Sequence, residues 1–262
     1  MLIETNLMGV ENKVEIAIER FKSFEPEDGY YLAFSGGKDS ICIYQLALMS
    51  GVKFDAHFNF TTVDPPELIN FIHNNYPDVS IDRPNMTMWR LIEKKHMPPT
   101  RIARYCCSYL KERGGEGRFV VTGVRASESI KRRKRQMVDM CYTKHKRILN
   151  PIIDWSDNDV WEFIKTNGFK YPSLYDEGQK RIGCIMCPLQ GVKGMLADAE
   201  KYPKFYNAYL LAFKKMIANM KTPPREEWAD EHKVMKWWIY GNPKKIQEEN
   251  LFDTTLDRFH YE

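Results

Sequence analysis

The string Ser35-Gly36-Gly37-Lys38-Asp39-Ser40 follows the apolar run Tyr30-Tyr31-Leu32-Ala33-Phe34 and precedes a helical pattern carrying Ile41, Ile43, Tyr44, Leu46, Ala47 and Leu48. A strand that turns through two glycines into a helix builds an anion site. The glycines allow a tight turn, so consecutive N–H groups can point at one phosphate with the helix N-terminus behind them. Ser35 and Ser40 add hydroxyl donors and Lys38 adds charge; the plain alternative is an ordinary strand-to-helix turn. A second constellation is made of thiols: Cys106 and Cys107 are adjacent, and Cys184-Ile185-Met186-Cys187 is a Cys-x2-Cys pair. Four thiolates in two pairs suggest a metal centre. Zinc usually draws on Cys-x2-Cys spacing at both ends, whereas adjacent cysteines point apart and fit one ion poorly. They can reach two irons of a [4Fe–4S] cluster, whose normal ligands are four cysteine thiolates. An iron–sulfur centre is therefore expected, with zinc as the alternative and four buried small hydrophobes as the reading without metal. Cys42 falls among buried helix positions and reads as core, and Cys141 stands alone in a basic stretch.

The 262 residues are 43% hydrophobic, enough for a sizeable core in one or two domains. The N-terminal residues show no charged-then-apolar leader pattern, and no apolar run approaches the ~20 residues that span a bilayer. A cytoplasmic protein without a membrane partner is expected. Six cysteines in such a chain point to metal or redox chemistry before a disulfide framework. The net charge of +4 is uneven: residues 101–150 hold 14 Lys and Arg against 4 Asp and Glu, a local +10, which leaves about −6 elsewhere. One concentrated basic stretch suggests a phosphate site more than generic nucleic-acid binding. Its densest part, Lys131-Arg132-Arg133-Lys134-Arg135, reads either as a solvated face or as a holder for a triphosphate or a nucleic-acid acceptor.

The elements that must position these groups alternate. Strands are expected at 54–60, 80–83, 119–123 and 148–153, and helices from Pro65-Pro66 to Tyr76, from Thr87 to Lys95 and after the cap Ser156. Alternation of this kind predicts an α/β fold: a doubly wound, mostly parallel sheet covered by helices, with ligands at the carboxyl ends of the strands. The anion loop, Asp64 and Arg125 all follow strands, which predicts one site. Asp64 reads equally as a Mg²⁺ ligand or a helix cap before Pro65. From about residue 195 the pattern becomes helical, with Trp228, Trp237 and Trp238 as packing residues, giving a nucleotide-binding domain over 1–194 and a helical extension over 195–262 that covers one side of the cleft.

Residues 35–40 lack the four-residue spacing of a P-loop and resemble the PP-loop, Ser-Gly-Gly-x-Asp-Ser, of the ATP pyrophosphatase (adenine nucleotide alpha-hydrolase) superfamily. Arg104-Tyr105-Cys106-Cys107-Ser108-Tyr109-Leu110-Lys111 resembles the Arg-x-Cys-Cys-x-x-x-Lys block of the PAPS/APS reductase family. Asn150 to Trp161, Tyr171 to Gly178 and Arg181-Ile182-Gly183-Cys184 resemble further blocks of that family. The resemblance implies a PP-loop α/β fold, ATP or a sulfonucleotide as ligand, and a [4Fe–4S] cluster on the four cysteines. The reductases' Glu-Cys-Gly-Leu-His motif has no counterpart in the final residues Asp257-Arg258-Phe259-His260-Tyr261-Glu262, so the thiol that attacks sulfur is not expected. Gly123-Val124-Arg125-Ala126-Ser127-Glu128-Ser129 instead resembles an element of relatives in DNA sulfur modification, which lack that motif.

Together these readings predict an adenylylating, sulfur-transferring enzyme that uses ATP with Mg²⁺. The alternatives are a sulfonucleotide reductase and a non-catalytic nucleotide-binding accessory protein. Ser35, Gly36, Gly37, Lys38, Asp39, Ser40, Asp64, Lys111 and Arg125 are the expected nucleotide ligands. Lys38, Asp39 and Arg125 are the expected catalytic groups, with Arg104 as a further contact to nucleotide or acceptor. The expected partners are a sulfur donor such as a cysteine desulfurase and a nucleic-acid acceptor on residues 131–135. Anaerobic purification should yield about four irons and four sulfides per chain, lost in Cys184→Ala, whereas stoichiometric zinc or no metal would sink the iron–sulfur expectation.

Overall fold

A computed structural model describes residues 2–6, 9–141, 145–221 and 226–241. The final residues Asp257 to Glu262, singled out above, lie outside the described residues. A short hairpin of β1 (Ile3–Asn6) and β2 (Gly9–Asn12) leads into α1 (Lys13–Ser23), capped by the Asn12 side chain. Then follow β3 (Tyr30–Phe34), α2 (Lys38–Ser50), β4 (Phe54–Asn59), α3 (Pro66–Asn75), β5 (Ser80–Asp82) and α4 (Met88–Lys95). After β6 (Phe119–Val121) come the short α5 (Ile130–Arg133), β7 (Val138–Cys141), β8 (Lys146–Leu149) and α6 (Asp157–Thr166). The remaining helices are α7 (Gly191–Lys201), α8 (Pro203–Ala218) and α9 (Glu231–Tyr240). Among the described residues no helix is long and apolar enough to cross a membrane.

Six strands form one sheet in the order β5-β4-β3-β6-β8-β7, parallel except for the β7–β8 pair. The chain fills the sheet outward from β3 in one direction and then returns to its other side with β6. The crevice between β3 and β6 is therefore the topological switch point, the place where open α/β sheets bind ligands. The doubly wound α/β class read from the sequence is the one observed. Two details differ. The strand expected at 148–153 ends at Leu149, because Pro151 has no N–H for a ladder and Asn150 turns its side chain to the Gln136 carbonyl and the Thr122 hydroxyl. The antiparallel edge strand β7 was not anticipated.

The chain divides into two compact units that alternate along it: residues 1–60, 66–83 and 112–182 in one, 61–65, 84–111 and 183 onward in the other. The first holds the sheet. Its core includes Tyr30, Leu32 and Phe34 of β3, Ile41, Ile43 and Leu46 of α2, and Trp155, Val160 and Phe163 around the start of α6. Cys42 is fully buried there. The second unit packs α4, α7, α8 and α9 around Leu91, Tyr209, Phe213 and Met216, and buries Trp228 and Trp238.

Two glycines hold the switch point in shape. Gly36 has φ +72, and a Cβ there would stand 2.6 Å from Leu68 Cδ1 of α3. Gly123, after β6, would carry a Cβ 2.9 Å from the Asp39 backbone, so only glycine lets this loop lie against the first turn of α2. Gly51 shares the left-handed φ of +72 but has open space around it. Gly51→Ala should cost ~1 kcal/mol through its backbone conformation alone, and Gly36→Ala more, since the Leu68 and Ile72 side chains must also move aside. Parallel denaturant melts of the two variants measure that difference.

Candidate nucleotide site

The loop after β3 closes on itself before it meets a ligand. Ser40 Oγ donates to the Gly37 carbonyl at 2.8 Å, and Ser35 Oγ donates to Ser40 Oγ at 3.2 Å. Gly37 is the residue before α2 and has no side chain to cap it, so the first amides of the helix stay available at its positive end. The Lys38 amide is already engaged, donating to the Tyr175 phenol oxygen at 2.9 Å.

Four charged side chains from three separate segments meet at this helix end. Arg125, 2% exposed, places Nε 2.6 Å from Asp39 Oδ1 and an Nη 3.0 Å from Asp157 Oδ1. Lys38, 5% exposed, lies 2.8 Å from the same Asp157 oxygen and 3.4 Å from Asp39 Oδ2. Arg125 also donates to Ser127 Oγ, whose hydroxyl returns to the Trp155 carbonyl. A cavity of about 260 Å³ opens over the group. Partial burial acts to raise the Asp157 carboxyl, but the hydrogen bond and charge of Lys38, with Arg125 behind them, outweigh it and hold its pKa below the usual carboxylate range.

Of the expected nucleotide ligands, the structure gathers Ser35, Gly36, Gly37, Lys38, Asp39, Ser40 and Arg125 in the first unit. Asp64 and Lys111 belong to the second, beside the cysteines. Asp64 is buried and accepts from the Thr61 amide at 2.7 Å. Burial raises its pKa against the opposing charge of Lys111. Sequence reasoning missed Asp157 and Tyr175. Asp157 looked like an ordinary first-turn acid after the Ser156 cap, and Tyr175 lies far along the chain in the Tyr171–Gly178 block; that block was the only signal available. In the basic run, Lys131, Arg133, Lys134 and Arg135 are exposed, while Arg132 pairs with Glu128.

The thiols share one neighbourhood of the second unit. Cys107 opens the π-type turn Cys107–Lys111 with Cys106 just before it, and the interaction of the two thiols pushes Cys106 up and pulls Cys107 down, with Arg104 helping the latter. The charges of Cys184 and Cys187 also act on Cys106. The charge of Cys184 is the first cause that holds the Lys111 ammonium protonated, with Asp64 and Cys107 adding to it against burial. Met186, between the second pair, adopts a left-handed φ of 56, and its amide donates to Asp198 at 2.6 Å. Among the described residues no group of three or more His, Cys, Asp or Glu side chains is arranged to hold a metal ion. The donor set itself, four thiols with a cation among them, suits an anionic thiolate-ligated cluster in its chemistry.

A PP-loop at the switch point of a doubly wound sheet, with buried cations at its helix end, defines a nucleotide-binding α/β protein. The family model for the phosphoadenosine phosphosulfate reductase domain matches residues 29–190, and the chain belongs to that family. It is 30% identical over 144 residues to the adenosine 5'-phosphosulfate reductase of Oceanobacillus iheyensis, covering 52% of this chain and 58% of that one. It is 27% identical over 197 residues to a probable FAD synthase of Schizosaccharomyces pombe, covering 68% and 69%. The crystal structure of the Candida auris phosphoadenylyl-sulfate reductase, a phosphate complex, shares the fold with a TM-score of 0.50 at 17% identity, over 64% of this chain and 87% of that one. The chain spans about half the length of the curated relatives it matches first.

A depressed carboxylate stabilises the fold above its unfolded pKa, about 4, and that contribution disappears as pH falls through the lower folded value. Wild type should therefore lose stability below about pH 4 more steeply than Asp157→Asn, with the two curves converging in stronger acid. Asp157 is well exposed, so the gap should be small and shrink with added salt. Thermal melts across that pH range check the sign.

Proposed function

We propose that the chain is an ATP-dependent, adenylylating enzyme of sulfur transfer. The observation that carries this reading is the convergence of Lys38 and Arg125, both buried, on the amide-bearing end of α2. ATP binds with Mg²⁺, its β and γ phosphates on the PP-loop amides and the Ser35 and Ser40 hydroxyls. An acceptor oxygen attacks the α phosphorus, and the α–β bridging oxygen leaves with the two outer phosphates as pyrophosphate. Lys38 and Arg125 offset the charge that grows on this leaving group in a site of low dielectric. Asp39 orients Arg125 through the 2.6 Å contact, a positioning role. The relative named as an FAD synthase supports nucleotidyl chemistry on this fold, and the reductase relatives support the sulfur context.

Cys106, Cys107, Cys184 and Cys187 would hold the [4Fe–4S] cluster, with zinc as the other occupant of such a set. When bound, the cluster supplies sulfur delivery or activation. Lys111, whose charge acts on Cys184, offsets thiolate charge, and Arg104 does the same at Cys107 Sγ, 3.4 Å away. A sulfur donor such as a cysteine desulfurase fits this chemistry. The exposed cations of residues 131–135 fit a nucleic-acid acceptor.

The test is anaerobic turnover with ATP, followed as pyrophosphate. Lys38→Ala and Arg125→Ala should each lower the rate by roughly 10² or more, the scale of losing one charge-stabilising donor. Sulfite released from PAPS or APS with thioredoxin, and no pyrophosphate from ATP, would replace this reading with reduction. Nucleotide binding with neither product would leave an accessory binding protein.

A further inference from the structure

The cavity over the PP-loop holds donors that the protein itself does not use. Tyr175, at the end of the short turn Ser173–Tyr175, accepts the Lys38 amide proton on its phenol oxygen. A hydroxyl that accepts in this way still has its own proton to give, and among the described residues none receives it. Burial pushes the Tyr175 pKa up, so the phenol keeps that proton at neutral pH. The ring is held edge-on to Trp161 at 5.1 Å between centroids, which fixes where the hydroxyl stands. That place is the loop itself: the oxygen lies 3.2 Å from where a Cβ on Gly37 would be.

Lys180 and Arg181 line the same cavity and are exposed, and among the described residues neither has a carboxylate partner. The Arg181 charge reaches the Tyr175 phenol. The lining holds Lys38, Arg125, Arg132, Lys180 and Arg181 against Asp39, Glu128 and Asp157, five cations to three anions. Lys38, Arg125 and Arg132 are the cations already paired with carboxylates. The surplus of two lies in the Lys180-Arg181 segment.

We infer that Tyr175, Lys180 and Arg181 form a second phosphate-binding group beside the PP-loop amides, which holds the terminal phosphates that depart as pyrophosphate. The phenol donates its O–H to a phosphate oxygen resting on the loop, and the two unpaired cations neutralise the most highly charged part of the nucleotide. This rests on the reading of the cavity as a nucleotide site.

Calorimetric titration of the whole chain with inorganic pyrophosphate tests it, on wild type, Tyr175→Phe and the double variant Lys180→Ala/Arg181→Ala. Tyr175→Phe keeps the ring and its packing, and should weaken binding roughly tenfold or more, as expected for a hydrogen bond to a charged group. The double variant should weaken binding and also flatten its dependence on salt, which a merely structural role would not do. Unchanged or tighter binding by Tyr175→Phe would overturn the role of the phenol, showing that it only competes for the Lys38 amide. An unchanged salt dependence in the double variant would overturn the role of the cations. Failure of wild type to bind pyrophosphate would instead overturn the nucleotide-site reading on which the inference stands.

Discussion

A buried guanidinium is tolerable only where fixed anions surround it. Arg125 meets that condition by drawing one carboxylate from the first turn of α2 and another from the first turn of α6, while its own backbone follows β6. Three segments distant in sequence are thereby tied at one end of the sheet. Lys38 joins the same lattice through Asp157, so each cation shares its anion with the other. Neither charge is cancelled by a private partner. Two carboxylates thus satisfy two buried cations without a ligand, and the positive surplus of the cavity comes from Lys180 and Arg181 at its edge.

The features legible in the sequence were those whose causes are local. The strand, the two-glycine turn and the helix of residues 30–50 are encoded side by side, and Gly36 combines a left-handed φ with the Leu68 and Ile72 side chains close over it. The parallel alternation was equally readable, because β3 and β6 are apolar runs buried on both faces. What escaped depended on distant partners. β7 is four residues in a charged stretch, and it becomes a strand only because β8 offers it an edge. Asp157 carries no mark of its role until Lys38 and Arg125 arrive beside it. The end of β8 is set by Asn150, whose side-chain partners, Gln136 and Thr122, lie 14 and 28 residues away.

The cysteine neighbourhood shows the same limit from another side. Spacing alone marked four thiols, but it could not show that Lys111 and Asp64 share a compact unit with them. Asp64 is fixed by the Thr61 amide, and the Thr61 hydroxyl lies 3.6 Å from Cys184 Sγ. The short 61–65 segment therefore carries the second unit's chemistry although the elements flanking it, β4 and α3, belong to the first.

That threading bears on how the molecule can be made. Neither unit is a continuous piece of chain, since the path passes between them before residue 61, after 65, after 83, after 111 and after 182. On a ribosome the sheet must wait for β8 and α6 to emerge, and by then residues 84–111 have already been synthesised without the α7–α9 helices against which they pack. Contacts of long sequence separation make such assembly slow and leave apolar surface uncovered in the meantime. Met88, Leu91 and Ile92 of α4 thus stay uncovered in the nascent chain until residues 183 onward have been made.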